Sequence, residues 1–175
     1  MSDDKLSILL VPDARLRLKA RPVEAGDDDL VRDLAPRMLA AMYAAPGIGL
    51  AAPQVGSNLR LIVVDCGPKD APAPMILVNP EILAFSKEIA LREEGCLSLP
   101  GQFADVERPA RIKLRWRDLD GMRREMEAED LLGVCFQHEI DHLGGVLFVD
   151  HISALKRNMM LRKLAKELKL KARDD

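Results

Sequence analysis

No apolar run in this chain approaches the roughly 20 residues that a helix needs to cross a membrane, so a membrane-spanning protein is not expected. The opening Met1-Ser2-Asp3-Asp4-Lys5 has neither the basic nor the apolar region of a secretory signal, and no leader is expected there. Cysteine is scarce. Cys66, Cys96 and Cys135 are odd in number and widely spaced, which argues against a disulfide framework. A reducing cytoplasm suits them, and it also suits a thiolate that binds metal. Neither sign of charge dominates: the net charge of −2 gives no general reason to expect DNA as a partner. Internal repeats and low-complexity segments are missing as well. What is left is a composition ordinary for a globular protein, 48% hydrophobic and 31% charged, over 175 residues. That length is most simply one domain, residues 1–175, with room for a real core.

The most informative stretch is Gln137-His138-Glu139-Ile140-Asp141-His142, which follows the apolar run Leu131-Leu132-Gly133-Val134-Cys135-Phe136. Apolar residues recur there at three- and four-residue spacing, Glu127, Glu129 and Asp130 sit at the start, and Gly144-Gly145 follows the end. These are helix signals. In a helix His138 and His142 lie one turn apart, about 40° apart around the axis, so both imidazoles can reach one metal ion. Glu139 stands beside them, is not needed as a ligand, and is free to act as a base. That is the metal-plus-base arrangement of a hydrolase. A helix this apolar would bury three titratable side chains at a cost unless something paired with them. A metal would pair with them.

Two histidines leave a catalytic site short of a third protein ligand. Gly145 falls where a metzincin protease has its glycine, but Phe148 takes the place of that enzyme's third histidine, so that class fails. A thermolysin-like protease uses a glutamate farther downstream. Glu167 is the one available, among Lys163, Lys166 and Lys169 on what reads as a solvated helix. Upstream, Cys96 lies in Glu94-Gly95-Cys96-Leu97-Ser98, amid turn formers, where a loop can present a thiolate.

The rest of the chain reads as strands between two further helices. Residues 6–23 are read as extended with a turn. Over residues 27–45, Leu30, Val31, Leu34, Met38, Met42 and Ala45 keep helical spacing, with Asp27, Asp28 and Asp29 at the end the dipole favours. Pro36 lies off that apolar face, which predicts one kinked helix with Met42 and Tyr43 in the core. Gly47 to Gln54 reads as a loop whose glycines, Gly49 among them, let backbone approach a substrate. Strands are predicted over residues 60–65, 75–79, 88–91, 103–106, 110–117 and 123–128, with a hairpin turn at Asp120-Gly121. Strands that meander before a helix, with no βαβ alternation, give an α+β fold: antiparallel β-sheets packed around the central helix, plus an N-terminal and a C-terminal helix. Ser153 can cap the last helix, over residues 154–170, and residues 154–175 are strongly basic. Leu155, Met159, Leu161, Leu164 and Leu168 form its packing stripe, and its lysines and arginines a solvated face.

Three motifs together carry a family resemblance. Gly47-Ile48-Gly49-Leu50-Ala51-Ala52-Pro53-Gln54, Glu94-Gly95-Cys96-Leu97-Ser98 and Gln137-His138-Glu139-Ile140-Asp141-His142 resemble the signature motifs of peptide deformylases. They stand in that family's order and at its usual separations, over residues 6–169. The resemblance implies an enzyme that removes the formyl group from the N-terminal formylmethionine of nascent polypeptides and releases formate. It implies that Cys96, His138 and His142 hold the metal, with water in the fourth place and Glu139 as general base and acid. It gives the Gln54 side chain and the Leu97 backbone N–H the oxyanion. Iron(II) is implied as the native ion, with zinc, nickel or cobalt as substitutes. Helix geometry adds a pocket: Leu131, Val134 and Cys135 lie one and two turns before His138, and with Ile48 they can wall an apolar slot for a methionine side chain. Arg108 and Asp141 are read as a pair that orients the site, and Glu94 as a hydrogen-bond partner for backbone or substrate. A basic helix on an enzyme that meets chains emerging from a ribosome can also dock on ribosomal RNA. Phe103 stands where some members carry an arginine at the substrate mouth, so no charged contact is carried over there, and Pro53 fills a variable slot.

Overall fold

The computed structural model describes residues 5–175; the opening residues, read as lacking a leader, lie outside the described residues except for Lys5. It is the expected α+β fold. Helix α1 spans Asp28–Ala44, and strands follow at β1 Gly49–Ala51, β2 Leu61–Val64, β3 Met75–Phe85, β4 Ile89–Cys96, β5 Leu99–Pro109, β6 Arg111–Arg117 and β7 Arg123–Glu129. Helix α2 spans Asp130–Leu143 and α3 Ala154–Asp174. Five strands form one antiparallel sheet in the order β1-β2-β3-β6-β7, and β4 and β5 form a separate antiparallel hairpin.

Strand β2 shows how the sheet holds both helices. Successive side chains of a strand point to opposite faces. Leu61 and Val63 pack with Val31, Leu34, Met38 and Met42 of α1, whereas Ile62 and Val64 pack with Cys135, Phe136 and Leu143 of α2. The strand is therefore apolar at every position and fully buried. A third cluster joins Leu99 and Val106 of β5 to Phe148, Val149 and Leu164, seating α3 against the hairpin.

Several expectations are adjusted by this packing. Helix α1 runs unbroken through Pro36, which is exposed as its place off the apolar face requires. Met42 is buried, but Tyr43 is half-exposed and donates its hydroxyl to Asp65 instead of filling the core. Asp65 also accepts the backbone N–H groups of Gly67 and Ala73, each at 2.9 Å, and so pins the proline-rich loop after β2. Glu127 and Glu129 end β7 rather than begin α2, which starts at Asp130 with a positive φ of 53° at the strand-to-helix corner. Residues 14–17 make a short 3-10 turn within the segment read as extended. On α3, Leu161, Leu164 and Leu168 pack inward, but Leu155 and Met159 face solvent.

Candidate active site

The loop expected between Gly47 and Gln54 is a three-residue strand followed by a 3-10 turn, Ala52–Val55. The turn closes on Gln54, whose Oε1 accepts the Ala51 N–H at 2.9 Å. With that oxygen occupied, the amide nitrogen points the other way, donating to Ser98 Oγ at 3.0 Å and lying 3.5 Å from Cys96 Sγ. The N-terminal segment clamps both pieces from behind: the Leu9 N–H donates to the Gln54 carbonyl at 2.7 Å and the Val11 N–H to the Ser98 carbonyl at 3.0 Å.

Cys96 is the last residue of β4 rather than a loop residue. Pairing along the hairpin slips between Gly95, opposite Phe103, and Cys96, opposite Leu99. Leu97 and Ser98 make the turn. The slip lets Cys96 leave the regular register and face α2. Its Sγ lies 3.4 Å from His142 Nε2, and one donor atom each from Cys96, His138 and His142 all fall within 4.8 Å of one another. Among the described residues this is the one metal-type cluster. Glu167 takes no part in it: exposed on α3, it accepts from Gln102 Nε2 at 3.1 Å. Of the two candidates for a third donor, Cys96 and not Glu167 stands beside the histidines.

His138 is oriented from behind. Its Nδ1 lies 2.9 Å from Glu94 Oε1, and Glu94 is gripped by both arms of Arg108, at 2.6 and 2.9 Å. Arg108 reaches on to Asp141 at 2.9 Å, and Asp141 meets His151 Nε2 at 2.8 Å. The expected Arg108–Asp141 pair is present, and Glu94, expected to meet backbone or substrate, instead meets the His138 ring. Its carboxyl is buried, which opposes its charge, but the hydrogen bonds from His138 and Arg108 outweigh burial and hold it below the ordinary value. Sequence reasoning missed His151 altogether; its spacing from Asp141 carries no local signal.

Glu139 is buried beside this cluster, with Oε1 3.9 Å from His138 Nε2, and burial pushes its carboxyl up to about 7. Gly49 makes room for it. A Cβ on Gly49 would lie 2.6 Å from Glu139 Oε1 and 2.9 Å from Cys135 Sγ, closer than atoms tolerate. The two described buried side-chain polar atoms without a hydrogen-bond partner, Glu139 Oε2 and His142 Nδ1, are both here. A soft thiolate, two imidazoles and an unpartnered buried carboxylate oxygen fit a divalent transition-metal ion.

A cleft of about 320 Å³ opens onto these groups. Ile48, Gly49, Leu131, Val134 and Cys135 all line it, together with Gln54, Cys96, Leu97, His138 and Glu139. Phe103, 61% exposed, stands at its edge. A larger hollow of about 530 Å³ by Phe85, Arg111 and Glu127 has neither cysteine nor histidine on its walls, so the chemistry belongs to the smaller one.

Antiparallel sheets around a helix that sets a glutamate beside a Cys-His-His cluster define the class, a metal-dependent hydrolase. The family described as Polypeptide deformylase matches residues 5–158. A peptide deformylase of Mesorhizobium japonicum is 52% identical over 166 residues, covering 94% of each chain. The crystal structure of a peptide deformylase from Legionella pneumophila superposes with a TM-score of 0.89 at 45% identity, over 97% of this chain and 99% of that one. One from Synechococcus elongatus, in complex with actinonin, superposes with a TM-score of 0.85 at 42% identity, over 93% and 89%. The chain belongs to the polypeptide deformylase family, whose reaction is hydrolytic removal of the N-formyl group from newly made polypeptides.

Proposed function

We propose that Cys96, His138 and His142 hold a single divalent ion and that Glu139 is the acid-base group for deformylation of N-terminal formylmethionine. The convergence of the three donors within 4.8 Å, with Glu139 alongside, carries this reading. Iron(II) is the native ion on this reading, and zinc, nickel or cobalt suit the same donor set. When bound, the ion supplies Lewis acidity, lowering the proton affinity of a water and drawing electron density from the formyl oxygen.

The chain's own groups do the rest. Glu139 takes a proton from the attacking water and later gives it to the departing amine, so formate and a free amino terminus leave. The space left by Gly49 lets that carboxylate stand at the cleft wall without a clash. Gln54 Nε2, held in one orientation by Ala51 and Ser98, and the Leu97 backbone N–H meet the negative charge that gathers on the former carbonyl oxygen. Ile48, Leu131, Val134 and Cys135 wall the slot for the methionine side chain. Glu94 and Arg108 fix the His138 ring. The whole of residues 1–175 works as one catalytic unit in this reading. Its place is the cytoplasm, where three free thiols and nascent formylated chains are both at home. No described helix is long and apolar enough to cross a membrane. The exposed Lys156, Arg162, Lys163, Lys166 and Lys169 of α3 form a basic surface for ribosomal RNA.

An anaerobic assay of a formyl-methionyl peptide beside its unformylated twin, with metal analysis of the same sample, tests the reading. Formate should appear from the first peptide only, with one ion bound per chain. Cleavage inside the unformylated peptide would overturn it. In the Cys96→Ala variant the ion and the turnover should be lost together, and an ion retained at full occupancy would mean that sulfur is not a ligand.

A further inference from the structure

We propose that His151, on the turn after α2, is a positioning residue for the metal site, holding the His138 ring through Asp141, Arg108 and Glu94. The proposal rests on His138 being a metal ligand. Such a ring offers its Nε2 lone pair to the ion, so its Nδ1 carries the proton and donates to Glu94 Oε1 at 2.9 Å. Behind Glu94 the links are short and alternate in sign. Arg108 donates from Nε and Nη2 to Glu94 at 2.6 and 2.9 Å, and from Nη1 to Asp141 Oδ2 at 2.9 Å. The His151 Nε2–H donates to that same oxygen at 2.8 Å, because a carboxylate already paired with an arginine only accepts.

The turn that carries His151 is itself pinned. Asp150 accepts the Leu147 N–H at 2.9 Å and the Arg17 guanidinium at 2.6 Å, and Arg17 also donates to the Gly145 carbonyl at 3.2 Å. Phe148, the first residue of the same turn, is buried and lies over the His138 ring, with centroids 6.1 Å apart and planes inclined by 24°. One turn thus bears on one ring twice, on its face through Phe148 and at its Nδ1 through the relay from His151. An exposed histidine–carboxylate pair standing alone would count for little. This pair does not stand alone. Asp141, 27% exposed, shares its Oδ2 between His151 and an Arg108 that is 5% exposed. Without the His151 donor that carboxylate turns to water, Arg108 Nη1 is left buried without an acceptor, and Glu94 follows the guanidinium.

The test reads metal binding, not turnover. Zinc affinity is measured by competition with a chromophoric chelator, and visible spectra are recorded on the cobalt-loaded protein. A direct partner of a ligand carries about 10–100-fold in metal affinity; with Asp141, Arg108 and Glu94 in between, His151→Ala should lose about three- to tenfold. Its cobalt bands should change in position or intensity. In His151→Gln, whose amide donates to Asp141 in place of the Nε2–H, affinity and spectrum should both return. In the Asp141→Ala background, where the relay is already cut, His151→Ala should cost no further affinity. Unmutated affinity and bands in His151→Ala overturn the proposal. So does a loss that His151→Gln fails to restore, or one that persists in full without Asp141. An unmutated protein that takes up no zinc overturns the proposal together with the metal site, whereas a variant that matches the unmutated protein overturns the proposal alone.

Discussion

Helices α2 and α3 use the same periodicity for opposite ends. In α2, Gln137, His138, Glu139 and His142 are buried along with Cys135, Phe136 and Leu143, whereas α3 over 21 residues buries only Leu164. Three of these polar side chains have a polar neighbour in place, while a Glu139 oxygen and a His142 nitrogen are left over beside the Cys-His-His cluster. Gln137 donates to the carbonyls of Pro109 and Gly133, His138 meets Glu94, and His142 meets Cys96. The charges of α3 are solvated, with Lys163 and Glu167 merely 4.0 Å apart at helical spacing. The difference teaches that polarity on a helix is informative when it is buried. Desolvation is costly enough that only a specific partner retains it, while an exposed ion pair is worth a fraction of a kcal/mol.

The sharpest break of the comparison is Glu139→Ala. Turnover should fall by about 10²–10⁴ while metal content stays at the unmutated level, which is the signature of a lost acid-base group; metal loss in parallel would make Glu139 part of the binding site instead. Glu94→Ala comes next. It removes the acceptor behind His138, and metal affinity should weaken about 10–100-fold in a competition titration. It also strands Arg108, 5% exposed, as a buried charge held by Asp141 alone. Unfolding free energy should drop by about 3–5 kcal/mol in denaturant melts. The smallest effect is expected on α3, where Lys166→Glu with Lys169→Glu should change stability by less than about 0.5 kcal/mol. Activity on a short formylated peptide should stay the same, and co-sedimentation with ribosomes should weaken. Unchanged co-sedimentation would leave α3 as a packing element alone.

How far the site could be read ahead depends on the kind of signal each residue sends. His138, Glu139 and His142 are separated by less than a turn or by one turn, so their mutual placement follows from helix geometry. The slot residues Leu131, Val134 and Cys135 follow from the same helix, and all of them line the cleft. Tyr43 was misjudged because helical spacing marks a face without saying where that face ends; one step beyond Met42 the side chain emerges and finds Asp65. Leu155 and Met159 were misjudged for a related reason. The hairpin and the turn at Phe148–His151 are long enough to cover only the middle of α3. Gly49 was read as a place for substrate to approach, and its tightest constraint is the Glu139 carboxylate.

What the amino-acid order settled by itself is local: the central helix with its paired imidazoles and the glutamate between them, the alternating strands, the α+β class, and the family resemblance of three motifs. Only the tertiary structure decided which distant groups meet. It brought Cys96 rather than Glu167 to the histidines and turned Glu94 toward His138. The physical reason is one of range. Periodicity reflects neighbours along the chain, within a few residues of one another, while these encounters depend on strand register, a slip at the end of β4, and two helices seated on opposite faces of one sheet.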